Sequence, residues 1–241
     1  GDAARVREVV AHLEERGGAG LPGGGRLTPR RFLALGLLLG QGFGFERLHF
    51  LVEQAFAGGA GELGVRFLRQ VEAAHAFDTN PLYWLLHEAM YCGPLTGASR
   101  WAAQRVLCES PFAELFDYRA ALGDPGRPPL LFTGEMVFPW FAQDFAHLGE
   151  LAEVSELLAA KSDWAPLYDL DALRDTQVPV AAHVDSEDIY VDADLSKATA
   201  ALLGDRCSLW VSDEFQHSGL CDSGGSVLDR LMDMASGKAD G

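Results

Sequence analysis

Two short apolar runs joined by a helix-length segment constrain the fold of this sequence more than any other feature. Residues 178–184, VPVAAHV, are apolar without polar alternation, as in a parallel strand that is covered on both faces. Residues 207–215, CSLWVSDEF, form a second strand-like run. DADLSKATAALLGD between them and GSVLDRLMDMASG after them have the spacing of amphipathic helices. Strand, helix, strand and helix predict a right-handed βαβ unit with parallel strands and a covering helix.

The sequence before this unit is helical in pattern. Apolar residues recur at helical intervals up to about residue 165, and glycine-rich stops separate the segments. Thr28 followed by Pro29 predicts a capped helix start, GLPGGGR predicts a flexible turn, and no strand pattern precedes about residue 129. We therefore predict a helical domain over residues 1–165 and an α/β domain over residues 166–241. Since two strands do not make a stable, doubly covered sheet, this sheet is expected to be incomplete.

Composition excludes several partners. The chain has 241 residues and is 48% hydrophobic, enough for a real core. Its 19 basic and 35 acidic residues give a formal charge of −16, which disfavours nucleic acid and anionic membranes and favours cationic ligands such as a protonated amino terminus. The four cysteines form no metal-like grouping, which predicts buried free thiols and a cytoplasmic protein without a metal. No membrane span or signal peptide is predicted.

An acid and a histidine follow the two predicted strands. Asp188 lies just past the first strand, and His217 lies just past the second. Because adjacent parallel strands bring their carboxyl ends together, the carboxylate could accept a hydrogen bond from the imidazole and fix its tautomer. The alternative is a solvated acidic turn and a surface histidine.

The sequence contains no recognisable nucleophile for such a pair. No G-x-S-x-G elbow and no His-Gly-Gly turn for an oxyanion hole occur. The cluster CDSGGS, residues 221–226, follows His217 and is better explained as a helix cap. The chain is therefore expected to hold two of the three residues of a catalytic triad.

Several segments resemble successive blocks of bacterial proline iminopeptidases. These segments are GFERLHFLVEQAF, NPLYWLLHEAMYCGPLTGASRWAAQRV, LFTGEMVFPW, VPVAAHVDSEDIYVD and WVSDEFQHSGL. The resemblance runs in the same order over nearly all of the chain. It implies an α/β-hydrolase fold, incomplete here, with a helical cap followed by the last βαβα part of the core. It further implies a serine aminopeptidase that releases N-terminal proline and needs no cofactor.

The resemblance assigns two catalytic roles. Asp188, before IYVD, matches the triad acid, and His217, in EFQHSGL, matches the general base. Asp185 and Glu187 are the other acids considered for the first role. The nucleophile region has no counterpart, so the chain is expected to be a carboxyl-terminal fragment that is inactive by itself.

The resemblance also implies an amine site in the cap. Glu88, in LLHEAMY, and Glu135, in FTGEMV, are similar to the carboxylates that bind the charged imino group of the terminal proline. A secondary ammonium offers two N–H donors, and buried carboxylates would neutralise its charge. The alternatives are an ion pair of Glu88 with Arg100 or Arg105, and a loop or helix-entry role for Glu135.

Phe138 and Trp140 are the first candidates for an apolar wall around the pyrrolidine ring, with plain core packing as the alternative. The other functions considered are an esterase, an epoxide hydrolase and a non-catalytic binding module. The sequence leaves the oligomeric state and the physiological peptide open.

Overall fold

The computed structural model of the chain describes residues 1–59, 61–124, 126–127 and 129–238. The chain divides into two compact units. Unit 1 comprises Gly1–Leu38 and Glu46–Ala165, and unit 2 comprises Leu39–Phe45 and Pro166–Gly241. Leu39–Phe45 fall within the predicted helical domain of residues 1–165 but belong to unit 2. The interpretation of the units as a cap and the end of a hydrolase core stays a prediction.

Unit 1 is helical. Its helices are α1 (Asp2–Glu15), α2 (Pro29–Leu33), α3 (Gly44–Glu53, which begins in unit 2), α4 (Val65–Ala74), α5 (Pro81–Met90), α6 (Ala102–Leu107), α7 (Phe112–Leu115), α8 (Tyr118–Gly123), α9 (Phe141–Asp144) and α10 (Ala152–Ala160). Two 3-10 helices span Ala34–Gly40, which ends in unit 2, and Leu148–Leu151. The predicted cap of α2 is confirmed, because the Thr28 hydroxyl accepts the Arg31 amide at 3.2 Å and Pro29 takes the first helical position.

Two short strands in unit 1 were not predicted. β1 (Ala19–Gly20) pairs antiparallel with β2 (Arg26–Leu27), so the glycine-rich segment is a tight ribbon and not simply a flexible turn. Gly24 and Gly25 have φ of 109° and 73°, a conformation that few residues other than glycine adopt. The apolar run that begins near residue 129 forms no strand over residues 129–140.

Aromatic packing fills the core of unit 1. Trp84 of α5 stacks on Trp101 with ring centroids 5.7 Å apart, and its indole N–H donates to the Phe138 carbonyl at 3.1 Å. The buried cluster comprises Ala34, Phe77, Trp84, Trp101, Val137, Phe138, Phe141, Phe145, Leu148 and Ala159. These contacts hold α5, the loop before α6 and the residue 137–148 segment together.

Unit 2 contains the predicted α/β arrangement. Its elements are α11 (Leu170–Arg174), β3 (Val180–Asp185), α12 (Ala193–Leu203), a 3-10 turn (Gly204–Arg206), β4 (Cys207–Ser212), α13 (Gly219–Asp222) and α14 (Ser226–Ala235). The prediction of two parallel strands is confirmed. β3 pairs with β4 in a register that runs from Val180 opposite Cys207 to Asp185 opposite Ser212.

The four cysteines are free thiols, as predicted, but the prediction that they are buried is wrong, because Cys108 and Cys221 are exposed and Cys92 and Cys207 are half-buried. Over the residues that the structure describes, no helix is both long enough and apolar enough to cross a membrane.

Candidate functional site

The ends of β3 and β4 bring an acid and a histidine into contact in unit 2. His217 Nδ1 lies 2.9 Å from Asp188 Oδ2. The aspartate side chain is 10% exposed and the histidine side chain is 48% exposed, so the acid is covered while the imidazole reaches solvent. With Nδ1 engaged by the carboxylate, Nε2 is the ring nitrogen left to exchange a proton with a substrate group.

Backbone amides fix the Asp188 carboxylate. Its Oδ1 accepts the amides of Tyr190 at 2.7 Å and Val191 at 3.1 Å, which leaves Oδ2 to face the imidazole. The Tyr190 ring lies 4.8 Å from the His217 ring, centroid to centroid. The histidine is held from its backbone as well, because its amide donates to the Gly40 carbonyl at 3.2 Å.

The other acids of this segment have separate roles. Asp185, at the end of β3, is buried and accepts the Glu187 amide at 2.9 Å and the Phe215 amide at 2.8 Å. Asp192 caps α12 by accepting the Leu195 amide at 2.8 Å. Glu187 is exposed. The run of carboxylates after β3 is therefore a set of turn and cap residues around one acid that meets a histidine.

A cavity of about 260 Å³ borders the acid and the histidine within unit 2. Polar and apolar side chains both line it. They include His183, Asp185, Asp188, Ser196, Gln216, His217, Leu220 and Leu231.

Glu88 and Glu135 line one cavity in unit 1. Its volume is about 340 Å³. The wall also includes His87, Tyr91, Cys92, Ser99, Arg105 and Met136. The two acids proposed from the resemblance are therefore neighbours of the same space, although they lie on α5 and on the loop before α9.

Glu88 is strongly bound by the loop that precedes α6. Its Oε2 accepts the Ser99 hydroxyl at 2.6 Å and the Trp101 amide at 3.1 Å, while Oε1 accepts the Ala102 amide at 2.7 Å. The predicted alternative, an ion pair with Arg100 or Arg105, is not what the described residues form. Arg105 donates instead to the Ser99 carbonyl at 3.0 Å. Glu88 is thus the side-chain cap of α6.

Glu135 is a loop acid, one of the two roles considered for it. Its carboxylate accepts a hydrogen bond from the Tyr83 hydroxyl. The side chain is half-buried. Its hydrogen-bond partner is a neutral hydroxyl, whereas Glu88 receives two backbone amides at a helix start.

The structure does not bring Phe138 and Trp140 to this cavity. Phe138 is fully buried in the core of unit 1 and stacks on Trp140 with ring centroids 5.2 Å apart. The Arg30 guanidinium also lies over the Trp140 ring, 4.6 Å from its centroid. The tyrosines Tyr83 and Tyr91 are nearer to the two acids, through a hydrogen bond and through the cavity wall.

His87, next to Glu88 in the sequence, is 4% exposed and forms part of the cavity wall. The conformation of the loop before α6 was not predicted. Trp101 has a positive φ of 57°, which aims two successive amides at Glu88. No residue type in this loop signals that conformation, since tryptophan rarely adopts it.

Within the described ranges, no group of three or more His, Cys, Asp or Glu side chains could hold a metal ion. That no cofactor or metal is needed stays an expectation from the sequence.

An acid and a histidine at the carboxyl ends of neighbouring parallel strands, in this chain order, are typical of α/β-hydrolases. The helix-rich structure with its small parallel sheet is compatible with that class.

Curated relatives give the particular family resemblance. A proline iminopeptidase of Aeromonas sobria is 41% identical over 229 residues, which are 95% of this chain and 50% of that protein. Proline iminopeptidase aneH of Aspergillus aculeatus is 29% identical over 244 residues, 99% of this chain and 51% of that protein. No protein-family model matches the chain. The chain is a homologue of proline iminopeptidases, which confirms the predicted resemblance, and it spans about half the length of the curated relatives it matches.

Proposed function

We propose that this chain supplies the acid–base pair and the amine-binding acids of a prolyl aminopeptidase, an enzyme that releases proline from the amino terminus of peptides. The names of the two relatives support this substrate class. The observation that carries the catalytic part is the 2.9 Å contact between His217 Nδ1 and Asp188 Oδ2. The nucleophilic serine and the oxyanion hole are proposed to lie outside these 241 residues.

The proposed reaction is acyl transfer in two steps. The serine hydroxyl gives its proton to His217 Nε2 as its oxygen bonds to the carbonyl carbon of the terminal proline. The carbon–nitrogen bond then breaks, and the same proton passes to the leaving amine. Water attacks the resulting ester, His217 again takes and returns a proton, and free proline leaves. Throughout, Asp188 holds the imidazole tautomer and stabilises the imidazolium.

The proposed amine site lies in unit 1. Glu88 and Glu135 give the wall of the 340 Å³ cavity its negative charge. A protonated secondary amine would donate its N–H groups to acceptors there, whereas a blocked amino terminus has no charge to neutralise.

The test uses the complete gene product that contains these residues. It should hydrolyse proline p-nitroanilide, and Asp188→Asn should lower kcat by about 10³–10⁴ with little change in KM, because the imidazole loses its tautomer control. Glu187→Gln is the matched control, since this neighbouring acid is exposed, and it should behave as the wild type.

Three results would speak against the proposal. Activity on a p-nitrophenyl ester alone would indicate an esterase, and activity on neither substrate would favour an epoxide hydrolase or a binding module. An unchanged kcat in Asp188→Asn would remove the acid from the catalytic pair.

A further inference from the structure

His87 lines the cavity that Glu88 and Glu135 also line, and one of its ring nitrogens is buried without a hydrogen-bond partner in the described part of the chain. The residue is 4% exposed, and Nδ1 has no hydrogen-bond partner among the described residues. Leaving such a group unpaired is costly, and a turn of the ring that brought Nδ1 to a ligand in the adjoining cavity would remove the penalty. The side chain forms part of the wall of that cavity.

The surroundings of His87 favour an uncharged imidazole. Burial lowers the pKa of His87, and the charges of Glu135 and Glu88 oppose that shift only in part. A neutral ring has one nitrogen that accepts a hydrogen bond. His87 can therefore act as an acceptor beside a carboxylate without adding positive charge to the site.

Glu88 and Glu135 differ in what they can still bind. Both oxygens of Glu88 already accept hydrogen bonds, from Ser99 and Trp101 at Oε2 and from Ala102 at Oε1. The partner of Glu135 is the Tyr83 hydroxyl, which neutralises no charge. The charge of Glu135 is therefore the one better placed to serve an incoming cation.

Two tyrosine rings lie near the imidazole of His87, one from α5 and one from the residue that follows this helix. The centroid of the His87 ring lies 5.1 Å from that of Tyr83 and 5.6 Å from that of Tyr91, both edge-on. Tyr91 is also part of the cavity wall. Aromatic surface of this kind suits an apolar ring that carries a positive charge.

We propose that His87 is a specificity residue for the secondary ammonium of an N-terminal proline, accepting one of its two N–H groups while Glu135 accepts the other. Glu88 is then a positioning residue that holds the α6 loop against the cavity. Two acceptors match the two donors of a secondary ammonium, whereas the primary ammonium of another N-terminal residue has a third. This inference rests on the proposed function and makes His87, in place of Glu88, the second acceptor of its amine site.

The test compares His87→Phe with His87→Asn in the complete gene product. Phenylalanine keeps an aromatic ring between the tyrosines but has no acceptor, and asparagine keeps an oxygen near the position of Nδ1. His87→Phe should raise KM for proline p-nitroanilide roughly ten- to a hundredfold with a smaller change in kcat. His87→Asn should recover most of that loss. The preference for proline over alanine p-nitroanilide should fall in His87→Phe.

His147→Phe is the matched histidine control, because His147 is exposed and absent from the cavity wall. Thermal melts report whether each variant folds. A second measurement needs no folded variant. In the wild type with ¹⁵N-labelled histidine, added prolinamide should shift the Nδ1 resonance of one buried histidine.

The outcomes separate this inference from the proposed function. Suppose that the wild type is active on proline p-nitroanilide. If His87→Phe then has the same KM and substrate preference as the wild type, or if prolinamide shifts no histidine nitrogen resonance, the role of His87 alone is overturned. A wild type inactive on every proline substrate would overturn both.

Discussion

At the scale of single residues, Asp185 links the two loops that carry the acid and the histidine. One oxygen accepts an amide from the turn that leads to Asp188, and the other accepts the Phe215 amide, two residues before His217. A buried carboxylate that accepts two backbone amides is well satisfied, and each hydrogen bond is stronger for its charge. The relative position of the catalytic candidates thus depends on a residue that touches neither of their reacting atoms.

Asp185→Asn should therefore disturb both stability and turnover. The amide group of asparagine offers an acceptor to one loop but a donor to the other, where an amide N–H already points. We expect the free energy of unfolding to fall by about 1–3 kcal/mol and kcat to fall severalfold or more with KM nearly kept. Chemical denaturation and steady-state kinetics on proline p-nitroanilide measure these effects. Ser186→Ala, at an exposed neighbour, is the control. Kinetics equal to the wild type would show that the loops hold their positions without this residue.

At the scale of elements, the start of α6 depends on a side chain from α5. Arg100 and Trp101 have φ of 46° and 57°, and the helix has no side-chain cap from its own N-cap residue. Glu88 supplies the missing acceptor across the two helices. The negative charge also lies where the helix dipole is positive.

Glu88→Ala should destabilise the protein by about 1–3 kcal/mol, because two backbone amides and a hydroxyl lose their acceptor. Glu135→Gln should leave stability nearly unchanged and should instead raise KM for proline p-nitroanilide. Glu109→Ala, at an exposed acid just after α6, is the control for stability. Urea denaturation and kinetics of the three variants separate the roles. If Glu88→Ala unfolds like the control, the contacts at α6 contribute little.

The secondary-structure elements that were predicted from the sequence are those with a detectable period of apolar residues. β3 and β4 were predictable because two apolar runs flank a helix-length segment, and parallel pairing then places Asp188 near His217. β1 and β2 were not, because strands of two residues have no period to detect. The partners of Glu88 were equally hidden, since they depend on the backbone angles of the loop before α6 and not on residue type.

At the scale of the whole molecule, the two units combine segments that are distant in sequence. Unit 2 includes Leu39–Phe45, and there Gly42 donates its amide to the Ser218 hydroxyl at 3.1 Å across 176 positions. Apolar periodicity is a local property and cannot report such a contact. Residue type alone also could not place the aromatic candidates. Phe138 and Trp140 are residue types that often line ligand sites, but here they pack in the core of unit 1.

The core of unit 1 also contains a histidine that ties stability to pH. His75 is 2% exposed. Burial, together with the positive charge of Arg31, lowers its pKa from 6.5 to about 3. Its ring packs edge-on against Phe145, with centroids 5.7 Å apart. The folded protein therefore holds this imidazole neutral over a pH range in which the unfolded chain binds a proton.

The sign of the effect follows from proton counting. Between pH 6.5 and about 3 the unfolded state binds one more proton at this site, so the free energy of unfolding falls as the pH falls. The contribution approaches about 1.4 kcal/mol per pH unit well below pH 6.5.

His75→Phe keeps an aromatic ring in the core and removes the titration. Urea denaturation from pH 7 to pH 4 measures the free energy of unfolding of both proteins. It should fall less steeply with decreasing pH in His75→Phe than in the wild type, by about 1.4 kcal/mol per pH unit at the acid end. The exposed-site variant His147→Phe should retain the wild-type slope. Parallel curves for His75→Phe and the wild type would mean that His75 can take up a proton in the folded protein, and the acid sensitivity would then belong to the carboxylates.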